Sequence, residues 1–137
     1  MAAPESTIAL RWLGEGLVFE GTGNSGKPTL VDGDTKVATS PVEALLVAAA
    51  SCTASDVVII LKKMRVELTT LEIRLTGTRR ETEPRRVTAM VLHVRVQGAG
   101  ADEDKVRRAL DLSIEKYCSV IASLNPDIPV TYDIVVE

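Results

Sequence analysis

The sequence predicts an α+β protein, and two observations lead to that class. Apolar and polar residues alternate, as in half-buried strands, within residues 68–78 and 87–97, whereas residues 41–64 form a long apolar segment of helical length. The strand segments are joined by short polar or glycine-containing stretches, and the helices separate groups of strands. This order predicts antiparallel sheets, connected by hairpins, around one long buried helix.

Short strands are predicted in the N-terminal region, at residues 7–13, 17–21 and 27–31. The glycines of Gly14-Glu15-Gly16 supply the positive φ angles of a tight turn between the first two strands. Asp32-Gly33-Asp34 is a strong turn signal after the third strand.

The long helix is predicted to run from Pro41 to about Met64. Ser40 can cap it, Pro41 suits the first helical position, and Glu43 favours the positive end of the helix dipole. Its middle is apolar on nearly all sides, which is typical of a buried helix. A chain of 137 residues has little material to cover such a helix, so we expect a second subunit to help, in a twofold-symmetric homodimer.

The remaining elements follow from the same periodicities. Residues 68–78 and 87–97 are predicted to form a hairpin, and residues 102–117 an amphipathic helix with its apolar stripe on Val106, Ala109, Leu110, Ser113 and Tyr117. A further turn or two of helix is predicted over 118–124, and a final strand over 130–136. The hairpin tip is a solvated cluster of charges, with acidic residues between its arginines: Arg79, Arg80, Arg85 and Arg86.

Composition excludes several classes of function. The length fits a single domain over residues 1–137, and hydrophobic residues make up 45% of the chain. Aromatic residues make up only 3% and the net charge is −3, so nucleic acid is not an expected partner. Residues 44–61 contain too many polar side chains for a membrane span, and the first five residues lack the pattern of a secretory leader. We therefore expect a cytoplasmic protein with no membrane partner.

Two cysteines are the candidate reactive groups. Cys118 lies 66 positions after Cys52, which excludes a local CxxC redox site and a close-spaced zinc knuckle. The residues themselves favour inert packing of both thiols in the core, since free cysteine is among the most buried residue types. A disulfide between them would need their Cα atoms to lie within about 7 Å of each other, and the separation in sequence does not show whether they do.

The only histidine, His93, is predicted to lie on the outward face of its strand. A Cys–His hydrolase therefore lacks a well-placed base, and one histidine with two cysteines is too few ligands for a transition-metal site. No metal or other cofactor is expected, because no nucleotide-binding or P-loop pattern is present.

Two segments together resemble the OsmC/Ohr family, and the order of elements resembles it along nearly the whole chain. The first is the helix that carries Cys52, and the second is the segment around Cys118: Ser40-Pro41-Val42-Glu43-Ala44-Leu45-Leu46-Val47-Ala48-Ala49-Ala50-Ser51-Cys52, with Asp56-Val57-Val58 after it, and Leu112-Ser113-Ile114-Glu115-Lys116-Tyr117-Cys118-Ser119-Val120.

The resemblance implies an intertwined α+β homodimer and a thiol-dependent peroxidase that reduces organic hydroperoxides and, less readily, hydrogen peroxide. By position, Cys52 corresponds to the cysteine that attacks the peroxide and Cys118 to the one that resolves the sulfenic acid as a disulfide. A dithiol reductant then restores both thiols. A nearby resolving thiol keeps such a sulfenic acid on the reversible part of the cysteine oxidation ladder.

Two features depart from the family pattern of an acid and an arginine that support the thiolate. The family acid directly follows the proline, a position that is Val42 here, and the acid stands one place later at Glu43. One residue is about 100° around a helix, so the two acids need not point the same way. Arg11 and Lys36 are the candidates for the arginine. The alternative function is a non-catalytic dimeric protein that binds a small apolar ligand on the same scaffold.

Overall fold

The computed structural model describes residues 3–137 and divides into two compact units, one that ends at Leu45 and one that covers Leu46–Glu137. Met1 and Ala2, on which part of the prediction of no leader depends, lie outside the described residues. A single domain over 1–137 stays a prediction. If residues 1–137 form a single domain, both units should unfold in one cooperative transition.

The first unit holds an antiparallel sheet in the order β1 (Ala9–Trp12), β2 (Val18–Thr22) and β3 (Pro28–Asp32). The predicted glycine turn joins β1 to β2, and Gly14 and Gly16 both have positive φ angles. Register places Trp12 opposite Phe19, and Phe19 opposite Val31. Paired residues share one face of a sheet, so one side of this sheet is largely apolar.

The loop after β3 is organised by one buried carboxylate. Asp32 is 1% exposed, and its side-chain oxygens accept hydrogen bonds from the backbone N–H groups of Asp34, Lys36 and Val37. The Asp32 N–H donates to Thr39 O at 2.9 Å, which brings the end of β3 to the residues that precede the long helix. The predicted Asp-Gly-Asp turn is thus confirmed.

The second unit contains the sheet β4 (Glu67–Arg79), β5 (Val87–Ala99) and β6 (Val130–Val136). β4 and β5 are antiparallel, as predicted, but β5 and β6 are parallel. The prediction of wholly antiparallel sheets is therefore corrected for β6. Its physical reason is the connection: helices lie between β5 and β6, and a crossover of this kind returns the chain in the same direction.

The long helix α1 (Pro41–Lys63) begins in the first unit and lies mostly in the second. Its fully buried residues recur at every fourth position: Ala49, Thr53, Val57 and Leu61. Val57 and Leu61 belong to the core of the second unit, together with Leu92, Val94 and Val96 of β5. The other side of α1 is exposed in the single chain, so the predicted buried helix is buried on one face only, because one sheet covers only one face.

The segment after β5 differs from the single helix predicted over 102–117. α2 (Glu103–Leu112), capped by Asp102, is followed by a π-helical turn (Ser113–Tyr117) and by the short helix α3 (Ser119–Ala122). A π turn is wider than an α-helical turn, so the apolar spacing predicted for one continuous helix does not extend through residues 113–117. Val106, Ala109, Leu110 and Ser113 are therefore buried as predicted, whereas Tyr117 is exposed.

Candidate active site

Cys52 lies in the middle of α1, at the edge of its buried stripe. The next residue, Thr53, belongs to that stripe and is fully buried, whereas Cys52 itself is partly exposed. Consecutive residues differ by about 100° around a helix, so Cys52 stands beside the core rather than in it. This position combines packing on one side with access on the other, and access is one requirement for a reactive thiol.

Cys118 occupies the break between the π turn and α3. Its N–H donates to Ser113 O at 2.7 Å, which closes the π turn, and its Sγ accepts the N–H of Ile121 at 3.5 Å as the cap of α3. The side chain is buried, at 2% exposure. The predicted change of helix at Cys118 is confirmed, with the sulfur in a capping position.

The two cysteine-bearing segments meet at Thr53. The hydroxyl Oγ1 of Thr53 donates to Sγ of Cys118 at 3.5 Å, and both side chains are buried. The sulfur of Cys118 therefore contacts the residue that directly follows Cys52 on α1. Both cysteines are free thiols in this structure.

A second link joins the same segments one turn further along α1. Ser113, at the start of the π turn, donates its hydroxyl to Oδ2 of Asp56 at 2.8 Å. Asp56 is four residues after Cys52, the spacing at which side chains neighbour each other on a helix. The segments that carry the two thiols are therefore also joined by a fully buried serine and a half-buried carboxylate.

Thr53, Asp56 and Ser113 were missed as site residues by sequence reasoning. A signal was present, since Asp56 interrupts an apolar helix and Ser113 lies on the apolar stripe of an amphipathic one. Buried polar side chains need hydrogen-bond partners, so such interruptions indicate where two elements meet. Which partners they find depends on the fold.

Glu43 is held at the start of α1 by a reciprocal pair of hydrogen bonds with Ser40. The Glu43 N–H donates to Ser40 Oγ and the Ser40 N–H donates to Glu43 Oε1, each at 3.1 Å. This is a capping box, and the hydrogen bond from the Ser40 backbone lowers the pKa of Glu43. The carboxylate thus has a structural task, and its predicted support of the Cys52 thiolate stays a prediction.

Both candidate basic residues, Arg11 and Lys36, belong to the first unit. The Arg11 guanidinium pairs with Glu20 at 3.2 Å, across β1 and β2, on an exposed surface. The backbone N–H of Lys36 is one of the donors to Asp32.

His93 lies on the outer face of the second sheet, as predicted, with Nδ1 2.6 Å from Oδ2 of Asp133 on β6. Its neighbours Leu92 and Val94 point into the core on the opposite face. Among residues 3–137, no group of three or more His, Cys, Asp or Glu side chains is arranged to hold a metal ion.

Comparison with known proteins decides the family. The OsmC-like protein family matches residues 32–133, which include both cysteines and every residue of the second unit up to Asp133. The chain belongs to the OsmC/Ohr family. The resemblance read from the two cysteine segments is confirmed.

Three individual proteins are similar to this chain along most of its length. Protein YhfA of Escherichia coli (strain K12) is 44% identical over 124 residues, 90% of this chain and 92% of YhfA. A hypothetical protein from Aquifex aeolicus VF5 superimposes with a TM-score of 0.84 at 28% identity, over 98% of this chain and 99% of that one. The organic hydroperoxide resistance protein OhrB of Bacillus subtilis shares the fold, with a TM-score of 0.62 at 13% identity over 98% and 100% of the two chains.

The family fold also bears on α1. By length and composition alone this helix is apolar enough to cross a membrane, contrary to the interpretation of its sequence, and core helices of soluble proteins satisfy the same criteria. The match to the OsmC-like family, over residues 32–133, covers the whole of α1. Its buried stripe packs in the second unit, whereas several of its other apolar residues are exposed in the single chain.

Proposed function

We propose that this protein is a thiol-dependent peroxidase that reduces organic hydroperoxides, and hydrogen peroxide less readily. The observation that carries the proposal is the contact between Cys118 Sγ and Thr53 Oγ1 at 3.5 Å, because it brings the second cysteine against the residue next to the first. The name of the B. subtilis relative, an organic hydroperoxide resistance protein, supports the choice of substrate.

The reaction consists of two steps on the protein. The partly exposed Cys52 attacks the terminal peroxide oxygen as a thiolate: an S–O bond forms, the O–O bond breaks, and the alcohol leaves after it takes a proton. Cys118 then attacks the sulfur of the Cys52 sulfenic acid. An S–S bond forms, the S–O bond breaks, and hydroxide leaves as water with the proton of the Cys118 thiol.

A dithiol reductant returns the Cys52–Cys118 disulfide to two thiols by thiol–disulfide exchange. A reducing compartment supplies such dithiols, so we place the protein in the cytoplasm. In this proposal Glu43 fixes the start of the helix that carries Cys52, through its hydrogen bonds with Ser40.

Single-turnover chemistry tests the proposal. Reduced protein is mixed with one equivalent of cumene hydroperoxide, quenched at intervals with a thiol-alkylating reagent, and analysed by intact mass. We expect rapid loss of two hydrogen atoms and of both alkylation sites. Cys118→Ser is expected to stop at a sulfenic acid, which dimedone traps, and Cys52→Ser to leave the peroxide unconsumed.

Ser51→Ala is the matched control, because Ser51 is an exposed neighbour of Cys52 whose hydroxyl bonds only to Ala48 O of its own helix. It should react like the natural protein. Two thiols that remain free over minutes would contradict the peroxidase and favour a non-catalytic protein that binds a small apolar ligand. Peroxide consumption by Cys52→Ser would mean that Cys52 is not the nucleophile.

We also propose that the protein is a homodimer. On α1, Val47, Val58 and Ile59 are exposed, and on the first sheet Leu10 and Trp12 are exposed. Large apolar side chains exposed in both units are what an interface in an oligomer would cover. Sedimentation equilibrium at micromolar concentration should give twice the chain mass, and Ile59→Lys should shift it toward the monomer. A stable natural monomer would contradict the dimer.

A further inference from the structure

The sulfur of Cys118 accepts two hydrogen bonds in a buried environment. Thr53 Oγ1 and the Ile121 backbone N–H each donate to it at 3.5 Å, and Cys118 and Thr53 are 2% and 0% exposed. A neutral thiol is a weak acceptor, whereas a thiolate is a strong one, and a charge out of water needs donors of this kind. The surroundings of Cys118 thus supply its sulfur with two hydrogen-bond donors.

Thr53 differs in this respect from the other hydroxyl residues of the same part of α1. Ser51 donates to Ala48 O and Ser55 donates to Ser51 O, which is the ordinary way in which a helix satisfies such side chains. A hydroxyl has one proton to donate, and Thr53 directs its proton to Cys118 on another segment. The hydroxyl of Thr53 can therefore stabilise Sγ of Cys118 when that sulfur reacts.

We propose that Thr53 is the hydrogen-bond donor that stabilises and orients the Cys118 thiolate for its attack on the oxidised Cys52. This inference rests on the proposed peroxidase function and adds a residue to its second step. When Cys118 releases its proton, the Thr53 hydroxyl holds the negative sulfur in place until the S–S bond forms. On reduction of the disulfide, the same hydroxyl stabilises Cys118 as the leaving thiolate, and the dithiol reductant is oxidised.

The test compares Thr53→Val, which keeps the shape but removes the hydroxyl, with Thr53→Ser, which keeps the hydroxyl. Two rates are measured after one equivalent of cumene hydroperoxide: sulfenic acid formation at Cys52, by dimedone trapping, and disulfide formation, by intact mass. We expect Thr53→Val to slow disulfide formation about tenfold, as loss of one hydrogen bond to a charged group predicts, and to leave sulfenic acid formation unchanged. Thr53→Ser should restore most of the second rate.

A second measurement does not depend on kinetics. Equilibration with a dithiol redox buffer should show that Thr53→Val makes the Cys52–Cys118 disulfide harder to reduce, because the reduced form has lost a stabilising donor. Ser55→Ala is the control on the same helix and should change neither the two rates nor the equilibrium.

The outcomes separate this inference from the function on which it rests. If the natural protein forms no sulfenic acid, the peroxidase proposal fails. If the natural protein cycles but Thr53→Val forms the disulfide at the natural rate, only the role of Thr53 fails. If both rates fall together in Thr53→Val and in Thr53→Ser, Thr53 serves packing alone, and the proposal is overturned.

Discussion

The hydroxyl of Ser113 donates a hydrogen bond to Oδ2 of Asp56 at 2.8 Å, and so ties the π turn that precedes Cys118 to the helix that carries Cys52. Ser113 is fully buried and Asp56 is half-buried. The backbone oxygen of the same Ser113 accepts the N–H of Cys118 at 2.7 Å. Ser113 thus connects the backbone of Cys118 with the side chain of Asp56, which lies one helical turn after Cys52.

Ser113→Ala is expected to lower the free energy of unfolding by about 1.5 kcal/mol, because a hydrogen bond to a charged group is lost and the carboxylate remains only partly hydrated. Urea unfolding followed by circular dichroism measures the change. Ser51→Ala, which removes an exposed hydroxyl from the same helix, should change stability by less than about 0.5 kcal/mol. If the two variants change the free energy of unfolding equally, the Ser113–Asp56 hydrogen bond does not stabilise the fold.

Substitutions in the capping box at the start of α1 can distinguish a structural role of Glu43 from a chemical one. Glu43→Gln keeps an acceptor for the Ser40 N–H, so we expect stability to be retained, whereas loss of the negative charge should slow sulfenic acid formation at Cys52 if Glu43 supports the thiolate as predicted. Ser40→Ala removes the cap to the Glu43 N–H and should cost about 1 kcal/mol in urea unfolding. An unchanged rate of sulfenic acid formation in Glu43→Gln would show that Glu43 serves the capping box alone.

Asp32 makes stability depend on pH in the acid range. Hydrogen bonds from the backbone N–H groups of Val37, Asp34 and Lys36 lower its pKa below the usual 3.8. Its contribution is therefore complete above the unfolded-state pKa and is lost as the pH falls through the lower folded-state value. Asp32→Asn should be less stable at neutral pH and should lose less stability on acidification.

Thermal unfolding by circular dichroism over the acid range measures this dependence, with Asp34→Asn as the control from the same turn. The side chain of Asp34 is exposed, so its variant should follow the acid profile of the natural protein. An unchanged acid profile in Asp32→Asn would refute the assignment.

Tyr132 makes stability depend on pH in the alkaline range. Its hydroxyl donates to Oδ1 of Asp111 at 2.5 Å and joins β6 to α2. Burial, with the Asp111 contact, raises the pKa of Tyr132 from 10.0 to about 12. Its contribution is complete below the unfolded-state value and is lost as the pH rises through the folded-state value. Between these two values we expect the natural protein to lose stability and Tyr132→Phe to lose less.

Denaturant unfolding across this alkaline window measures the difference. Tyr117→Phe is the matched control, because Tyr117 is 50% exposed on the π turn, and its variant should keep the alkaline loss of the natural protein. A Tyr132→Phe variant with the same alkaline loss would show that other groups cause it.

Local sequence determined most of the elements of this protein. The alternation in residues 68–78 and 87–97, the Ser40 and Pro41 start of α1, and the glycine turn at Gly14 and Gly16 each correspond to the element found there. These features depend on backbone preferences and on the periodicity of apolar residues, which act over a few positions of the chain. The two cysteine segments likewise carried enough local pattern to indicate the family.

Tertiary structure decided what these elements do together. The parallel pairing of β6 and the burial of α1 on one face only follow from packing between residues far apart in sequence. The partnership of Cys118 with Thr53, 65 positions apart, has the same origin. Hydrogen bonds between such distant groups form only after the fold has brought them together. The sequence therefore identified Cys52 and Cys118 as candidates, whereas only the structure showed that Thr53 contacts Cys118 and that Asp56 contacts Ser113.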